Sequence, residues 1–218
     1  MSENAVELRR VSKRFGAVHA VKQLDLCVAP GEVTALLGHN GAGKTTTLKM
    51  ILGITAPSSG DLRVLGKPPR GPAARALKLR MGYLPESVSF YGQLTGHQVL
   101  RYFARLKRVE PARCEAILAE VGLGPVANRR VKTYSKGMRQ RLGLAQALVR
   151  TPDLLLLDEP TVGLDPLATR EFFRTLEVLR RRGTTVILCS HVLPGIEQHI
   201  DRVAILARGR LRAAGSLE

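Results

Sequence analysis

The chain has 218 residues and a mass of 23.8 kDa, enough for one large domain or for two lobes around a shared core. Hydrophobic residues make up 44% of it and charged residues 24%, which excludes a disordered, collagen-like or disulfide-scaffold protein. Lys and Arg number 34 against 18 Asp and Glu, a formal net charge of +16, and 25 of the cations are arginine. Such a surface favours phosphate-bearing partners, whether nucleotide, nucleic acid or an anionic membrane face. Cys27, Cys114 and Cys189 stand far apart with no C-x-x-C pair, so a reduced, cytosolic chain is expected rather than a zinc knuckle or a disulfide framework. The opening carries Glu3 and Glu7 instead of a basic start, and no run approaches the ~18 apolar residues of a membrane span. The expectation is a protein that neither crosses a membrane nor carries its own export signal.

Taken in chain order, the apolar runs Val6 to Val11, Leu24 to Val28 and Val33 to Leu37 predict strands, with a turn at Pro30-Gly31. The third run feeds into Gly38-His39-Asn40-Gly41-Ala42-Gly43-Lys44-Thr45-Thr46, and Thr47 to Gly53 has helical apolar spacing. A turn and strand follow over Pro57 to Gly66, a short basic helix over Ala73 to Lys78, and a strand over Met81 to Leu84. Thr95 with Gln98 predicts a capping box for a helix through about Lys107, Pro111 suits the first turn of a second, and Ser135 caps a third running to about Arg150. In that third helix Leu142, Leu144, Ala145, Leu148 and Val149 are expected on one side. Asp153 to Leu157 reads as a buried strand ending in Asp158-Glu159. Asp165 and Pro166 then open a long helix to about Arg182, and Thr184 to Cys189 forms another buried strand before Ser190-His191. A short helix and strands near Arg202 to Ala207 and Arg210 to Ala213 complete the chain. Strands alternating with helices predict an α/β fold with a mostly parallel sheet; the helices of 95–150 are an insertion into a core formed by 1–94 and 151–218.

The loop Gly38 to Thr45 fits G-x-x-x-x-G-K-[ST], in which backbone N–H groups and a helix N-terminus cradle phosphates. In that pattern Lys44 reaches the β- and γ-phosphates and Thr45 ligates Mg²⁺. Its placement between a predicted strand and a predicted helix is the context the motif requires. Leu154 to Leu157 then delivers Asp158 to hold Mg²⁺ and Glu159, one residue on, to activate the attacking water.

With these residues the chain resembles the ATP-binding subunits of ATP-binding-cassette (ABC) transporters. Tyr134-Ser135-Lys136-Gly137-Met138-Arg139-Gln140 stands where that family has its signature sequence, Gly163-Leu164-Asp165-Pro166 resembles its D-loop, His191 its switch histidine, and Phe15 the aromatic that stacks on adenine. The resemblance implies the P-loop NTPase fold with an N-terminal antiparallel β region and an inserted helical subdomain. It also implies ATP and Mg²⁺ as ligands, and a second copy whose Ser135 and Gly137 close over the nucleotide in trans. An integral membrane permease is implied as partner, with the ATPase peripheral on the cytoplasmic face, a periplasmic accessory protein as a further component, and no nucleic acid. Asp165 and Ser135 also read, more simply, as helix caps, Phe15 as a core aromatic, and His191 as a loop histidine.

Two departures stand out. Lys136 and Met138 replace a glycine and the glutamine of the usual signature, and Glu86 occupies the position after Tyr83-Leu84-Pro85 where the family has a glutamine, so the metal's third ligand would be anionic. Within the family, the phrases Lys132 to Met138, Gly82 to Glu86 and Cys189 to Gly195 are similar to the ATPases that serve copper-site maturation of nitrous-oxide reductase, and related multidrug and polysaccharide exporters share much of that wording. A soluble ABC ATPase acting on nucleic acid or ribosomes is the reading from another class. Only about ninety residues separate Lys44 from Ser135, too few for the coiled coil of DNA-repair members, and ribosome-acting members carry two cassettes.

Overall fold

Alternate residues of the central strands go to two different cores, and this period of two organises the molecule. In a computed structural model that describes residues 4–217, β3 (Val33–Leu37), β5 (Met81–Leu84), β6 (Leu154–Asp158), β7 (Thr185–Ser190), β8 (Arg202–Ala207) and β9 (Arg210–Ser216) form one sheet in the order β5-β6-β7-β3-β8-β9. Glu3 and Glu218 lie outside the described residues. The first five strands run parallel and β9 closes the edge antiparallel. Ala35, Leu155, Leu157, Val186 and Leu188 face a core shared with the helices α3 (Gly96–Lys107), α4 (Arg113–Glu120), α5 (Lys136–Leu148) and α6 (Pro166–Arg181). Leu36, Leu154, Leu156, Ile187 and Ala204 face the other, shared with α1 (Lys44–Ile51), α2 (Ala74–Leu79) and a three-stranded antiparallel sheet. A sheet covered on both faces needs apolar residues at every position, which is why Leu154 to Leu157 is an unbroken leucine run. Truncating one of those leucines to Ala costs about 2–5 kcal/mol.

The antiparallel sheet, β2-β1-β4, joins β1 (Val6–Phe15), β2 (Val18–Val28) and β4 (Ser59–Val64). β1 and β2 are longer than their apolar runs predict. Arg10 and Gln23 interrupt the alternation with positive φ (49° and 46°), and side chains satisfy their backbone N–H groups: Arg10 donates to Asp25 at 2.8 Å and Gln23 to the Ser12 hydroxyl at 2.9 Å. The strands pass through these irregularities and meet at Phe15 and Val18 across a two-residue turn.

The helical insertion follows the sequence closely at its first cap. Gln98 N–H donates to Thr95 Oγ1 at 3.1 Å, and Thr95 N–H donates to Gln98 Oε1 at 2.9 Å. Two expectations are corrected. Pro111 precedes α4, whose first residue is Arg113, because Ala112 serves as the N-cap. Burial on α5 is not one-sided: Gln140, Gly143 and Ala147 are buried along with the five predicted positions, since the helix is wedged between β5 and the helices α3 and α4. The segment after His191 is a single 3₁₀ turn at Glu197–His199, and β9 extends three residues past the predicted Ala213.

β5 is an edge strand, and the insertion covers its open side. Lys107 Nζ donates to the Met81 carbonyl at 2.9 Å, and Gln146 Nε2 to the Tyr83 carbonyl at 2.7 Å. Burial, with the nearby Arg150 guanidinium, pushes the Lys107 ammonium down to about 8. Among the described residues, no helix is long and apolar enough to cross a membrane.

Candidate nucleotide-binding site

The C-terminal ends of β3, β5, β6 and β7 open on one rim, and each delivers part of the site: the glycine loop, Glu86, Asp158 with Glu159, and His191. In the loop, backbone crowding dictates the residue type. A Cβ at Gly38 would lie 2.4 Å from the Leu206 carbonyl oxygen, and one at Gly43, where φ is 107°, would lie 2.7 Å from that of Ala20. Gly43 is also the N-cap of α1, which has no side-chain cap and no acidic residue in its first turn. Its leading N–H groups and positive dipole end therefore face the cleft unopposed, the requirement for an anion site.

Lys44 is folded back into this loop, donating to the Gly38 carbonyl at 2.5 Å and weakly to that of His39 at 3.4 Å. Its ammonium lies 3.2 Å from Glu159 Oε1, with the two side chains only 6% and 7% exposed. That oxygen receives no properly directed hydrogen bond, so the contact is an ion pair with a lone pair to spare. The other carboxylate oxygen, Oε2, lies 2.8 Å from His191 Nδ1, and the backbone of Glu159 takes a positive φ of 49° that turns it into the rim. Thr45 Oγ1 donates to Asp158 Oδ1 at 3.2 Å. Burial raises the Asp158 carboxyl above its ordinary range, the Thr45 bond opposes that, and the charges of Glu86 and Glu159 add to it.

A cleft of about 560 Å³ is lined by the loop from His39 to Thr46, together with Glu86 and Glu159. Its remaining walls are segments to which the motifs gave no clue: Val18 to Ala20 and Lys22 on β2, and Arg208 in the β8–β9 turn. Gly209 N–H donates to the Ala42 carbonyl at 3.0 Å, and Lys22 N–H to the Gly209 carbonyl at 2.7 Å, so three remote segments are tied together behind the loop. Phe15 is not in the lining, but Val18, its cross-strand partner, is. The Phe15 ring is half exposed and carries the Lys13 ammonium 4.8 Å above its centre, so a base stacking there has one face free or displaces the lysine.

Ser135, Gly137 and Asp165 do not line this cleft. Ser135 Oγ accepts the Met138 N–H at 3.2 Å and Asp165 Oδ1 accepts that of Ala168 at 2.9 Å, so both act as caps within this chain. The signature turn and the D-loop touch each other. The Lys136 ammonium lies 2.4 Å from where a Gly163 Cβ would stand, and Leu164 packs at Gly137.

The family model for ABC transporters matches residues 21–162, from β2 through the glycine loop to the D-loop. The chain belongs to the ABC transporter ATP-binding family. It is 41% identical to the Nod factor export ATP-binding protein I of Paraburkholderia xenovorans, over 99% of this chain and 72% of that protein. It is 36% identical to a probable multidrug ABC transporter ATP-binding protein of Escherichia coli, over 98% of this chain and 37% of that one. A solved structure of an ATP-binding subunit of an ABC transporter superposes with a TM-score of 0.89 at 30% identity, over 98% of this chain and 90% of its own. The chain thus spans from about one-third to about three-quarters of the length of the curated relatives it matches. As an ABC ATPase it hydrolyses ATP.

Mg²⁺ fits the donors present. Among the described residues, no group of three or more His, Cys, Asp or Glu forms a cage, while Thr45 Oγ1 and the Asp158 carboxylate are hard oxygen donors beside the phosphate cradle. Mg²⁺ characteristically takes one or two such ligands and fills its shell with water and phosphate oxygens.

Proposed function

We propose that this ABC ATPase is the energising subunit of a transporter, working from the cytoplasmic face as a pair of copies beside a separate integral membrane permease. The observation that carries the reading is Glu159, a buried carboxylate held between Lys44 and His191 with one oxygen unbonded at the mouth of the phosphate cradle. The loop amides and Lys44 bind the phosphates, and Thr45 with Asp158 holds Mg²⁺, Glu86 completing the set from β5. Mg²⁺ supplies charge neutralisation on the phosphate oxygens when bound. Glu159 accepts a proton from the attacking water, and His191 orients that carboxylate through its Nδ1 bond. Phe15 takes the adenine, and Ser135, Gly137 and Asp165 act on the nucleotide held by the second copy. For this, the Ser135 hydroxyl donates its hydrogen to a phosphate oxygen while its oxygen keeps the Met138 N–H.

Tyr91, 85% exposed beside the groove of Phe90, Leu94, Tyr102 and Phe103, is the anchor for the permease. Phe90 and Leu94 are partly buried against the helical core, so Tyr91 is the side chain of this segment that stands free to dock. Export is the direction we favour, on the strength of the likeness to the Nod factor export protein. The narrower assignment to copper-site maturation of nitrous-oxide reductase rests on the wording of three phrases that multidrug and polysaccharide exporters share.

Replacing Glu159 by Gln keeps shape and removes the proton acceptor. ATP binding should persist while turnover falls at least ~100-fold, measured by single-turnover hydrolysis beside equilibrium binding. Near-normal hydrolysis by the variant would remove Glu159 from the chemistry. Co-purification with a candidate permease, with ATPase assayed alone and reconstituted, tests the transport role.

A further inference from the structure

The outer face of the helical insertion carries positive charge that the fold does not use. Residues 95–150 hold twelve basic and three acidic side chains, net +9, whereas the other 162 residues hold 22 and 15, net +7. No acidic residue lies between Glu86 and Glu110, or between Glu120 and Asp153. Of the twelve basic residues only Arg141 makes an ion pair among the described residues. Lys107, Arg113 and Arg139 are committed to a carbonyl, a hydroxyl and a carbonyl, respectively.

Five of the eight remaining cations, Arg101, Arg105, Arg108, Arg130 and Lys132, fall in two neighbouring segments. Arg101 and Arg105 are exposed one turn apart on α3 and Arg108 is exposed at its C-cap, with Tyr102 and Leu106, each 58% exposed, alongside them. Tyr102 shares a groove wall with Tyr91. The segment that carries Tyr91 is pinned to the one that carries Arg130 and Lys132: Val131 N–H donates to the Leu94 carbonyl at 2.8 Å and Lys132 N–H to that of Gly92 at 2.9 Å. Arg130 and Lys132 therefore flank the Tyr91 groove on one side and the outer face of α3 flanks it on the other; Tyr91 is left to the permease, and the α3 face, whose helix carries no carboxylate, is a basic surface with Tyr102 and Leu106 exposed between its cations.

We propose that this surface rests directly on an anionic lipid bilayer. Arginine and lysine attract acidic headgroups, exposed tyrosines sit at headgroup level, and an aliphatic side chain such as Leu106 enters the acyl boundary. A single-stranded nucleic acid would use the cations and rings but gains nothing from Leu106, whose side chain has no π-face to stack on. The inference takes its cellular setting from the transport role proposed above, but lipid contact here needs no permease and involves none of the residues that handle nucleotide.

The test uses the full chain without permease, in co-sedimentation with vesicles of phosphatidylcholine alone or with roughly one-third phosphatidylglycerol. Binding should be confined to the anionic vesicles and weaken with added salt. Reversing Arg101 and Arg105 together to Glu should lower partitioning at least ~10-fold. Reversing Arg210 and Arg212 on β9 changes net charge equally on another surface and should leave partitioning within about twofold. Basal ATPase of both double variants checks that they fold. The chain has no tryptophan, so Tyr102→Trp provides a single reporter whose emission should shift to the blue with anionic vesicles only. Equal losses in the two double variants, binding to neutral vesicles, an unshifted reporter, or displacement of vesicles by single-stranded RNA would each overturn the proposal. Vesicle binding without permease co-purification would break the transport reading and leave this one standing; the reverse outcome would break this one alone.

Discussion

Two helices of this molecule begin in opposite ways. α1 starts at a glycine with no side chain to bond its leading amides, while α5 starts at Ser135, which bonds the Met138 N–H. An uncapped helix end is a stability cost that tertiary packing must offset, and α1 is held by Leu48, Met50 and Ile51 buried against the antiparallel sheet. The open end leaves its leading amides to an anion, whereas at the capped end one amide is already bonded within the chain and the Ser135 hydroxyl keeps its hydrogen to donate elsewhere. The contrast teaches that one helix end offers bare backbone to an anion, while the other offers a single side-chain donor from an end already capped.

The largest effect should come from closing the open end. Gly43→Ala places a methyl against the Ala20 carbonyl at a φ of 107°, so it should cost at least about 2 kcal/mol in urea unfolding and lower ATP affinity at least ~30-fold. Gly41→Ala is the informative companion: φ is 81°, but the added methyl meets open space, so strain alone is paid and the loss should be smaller. Equal losses at the two positions would show that crowding against β2 is irrelevant. An intermediate effect is expected from the carboxylate beside the open end. Glu86→Gln should raise ATP affinity in the absence of Mg²⁺ by up to about tenfold, because one charge repelling the phosphates is gone, and should reduce the gain on adding Mg²⁺. Parallel Mg²⁺ titrations for parent and variant would mean that Glu86 is no ligand. The smallest effect belongs to the capped end, where Ser135→Ala should lose about 1 kcal/mol of stability with ATP binding by the isolated subunit unchanged. If binding by the single subunit falls as well, the two helix ends are not independent.

Features encoded within a few residues were legible in the sequence. Thr95 with Gln98, Ser135 and Asp165 name their own helix starts, and the leucine run ending at Asp158-Glu159 could only be a strand buried on both faces. The glycine loop was legible as well, although the reason for Gly38 and Gly43 lies in the carbonyls of Leu206 and Ala20, which no local pattern reveals. What depended on distant segments was hidden. His19, Lys22 and Arg208 enter the cleft through the ties made by Gly209, and the lengths of β1 and β2 depend on Asp25 and Ser12 satisfying the interruptions. Burial around α5 escaped because small residues, Gly143 and Ala147, make the second contact face, and smallness reads as neutral in a hydrophobic pattern.

The contact between Lys44 and Glu159 is a 3.2 Å pairing of charges without a directed hydrogen bond. On the function proposed above, a phosphate that competes for the lysine would weaken its hold on the carboxylate, while His191 keeps the other oxygen in place. Seating the substrate and freeing the group that meets water would then be one event rather than two.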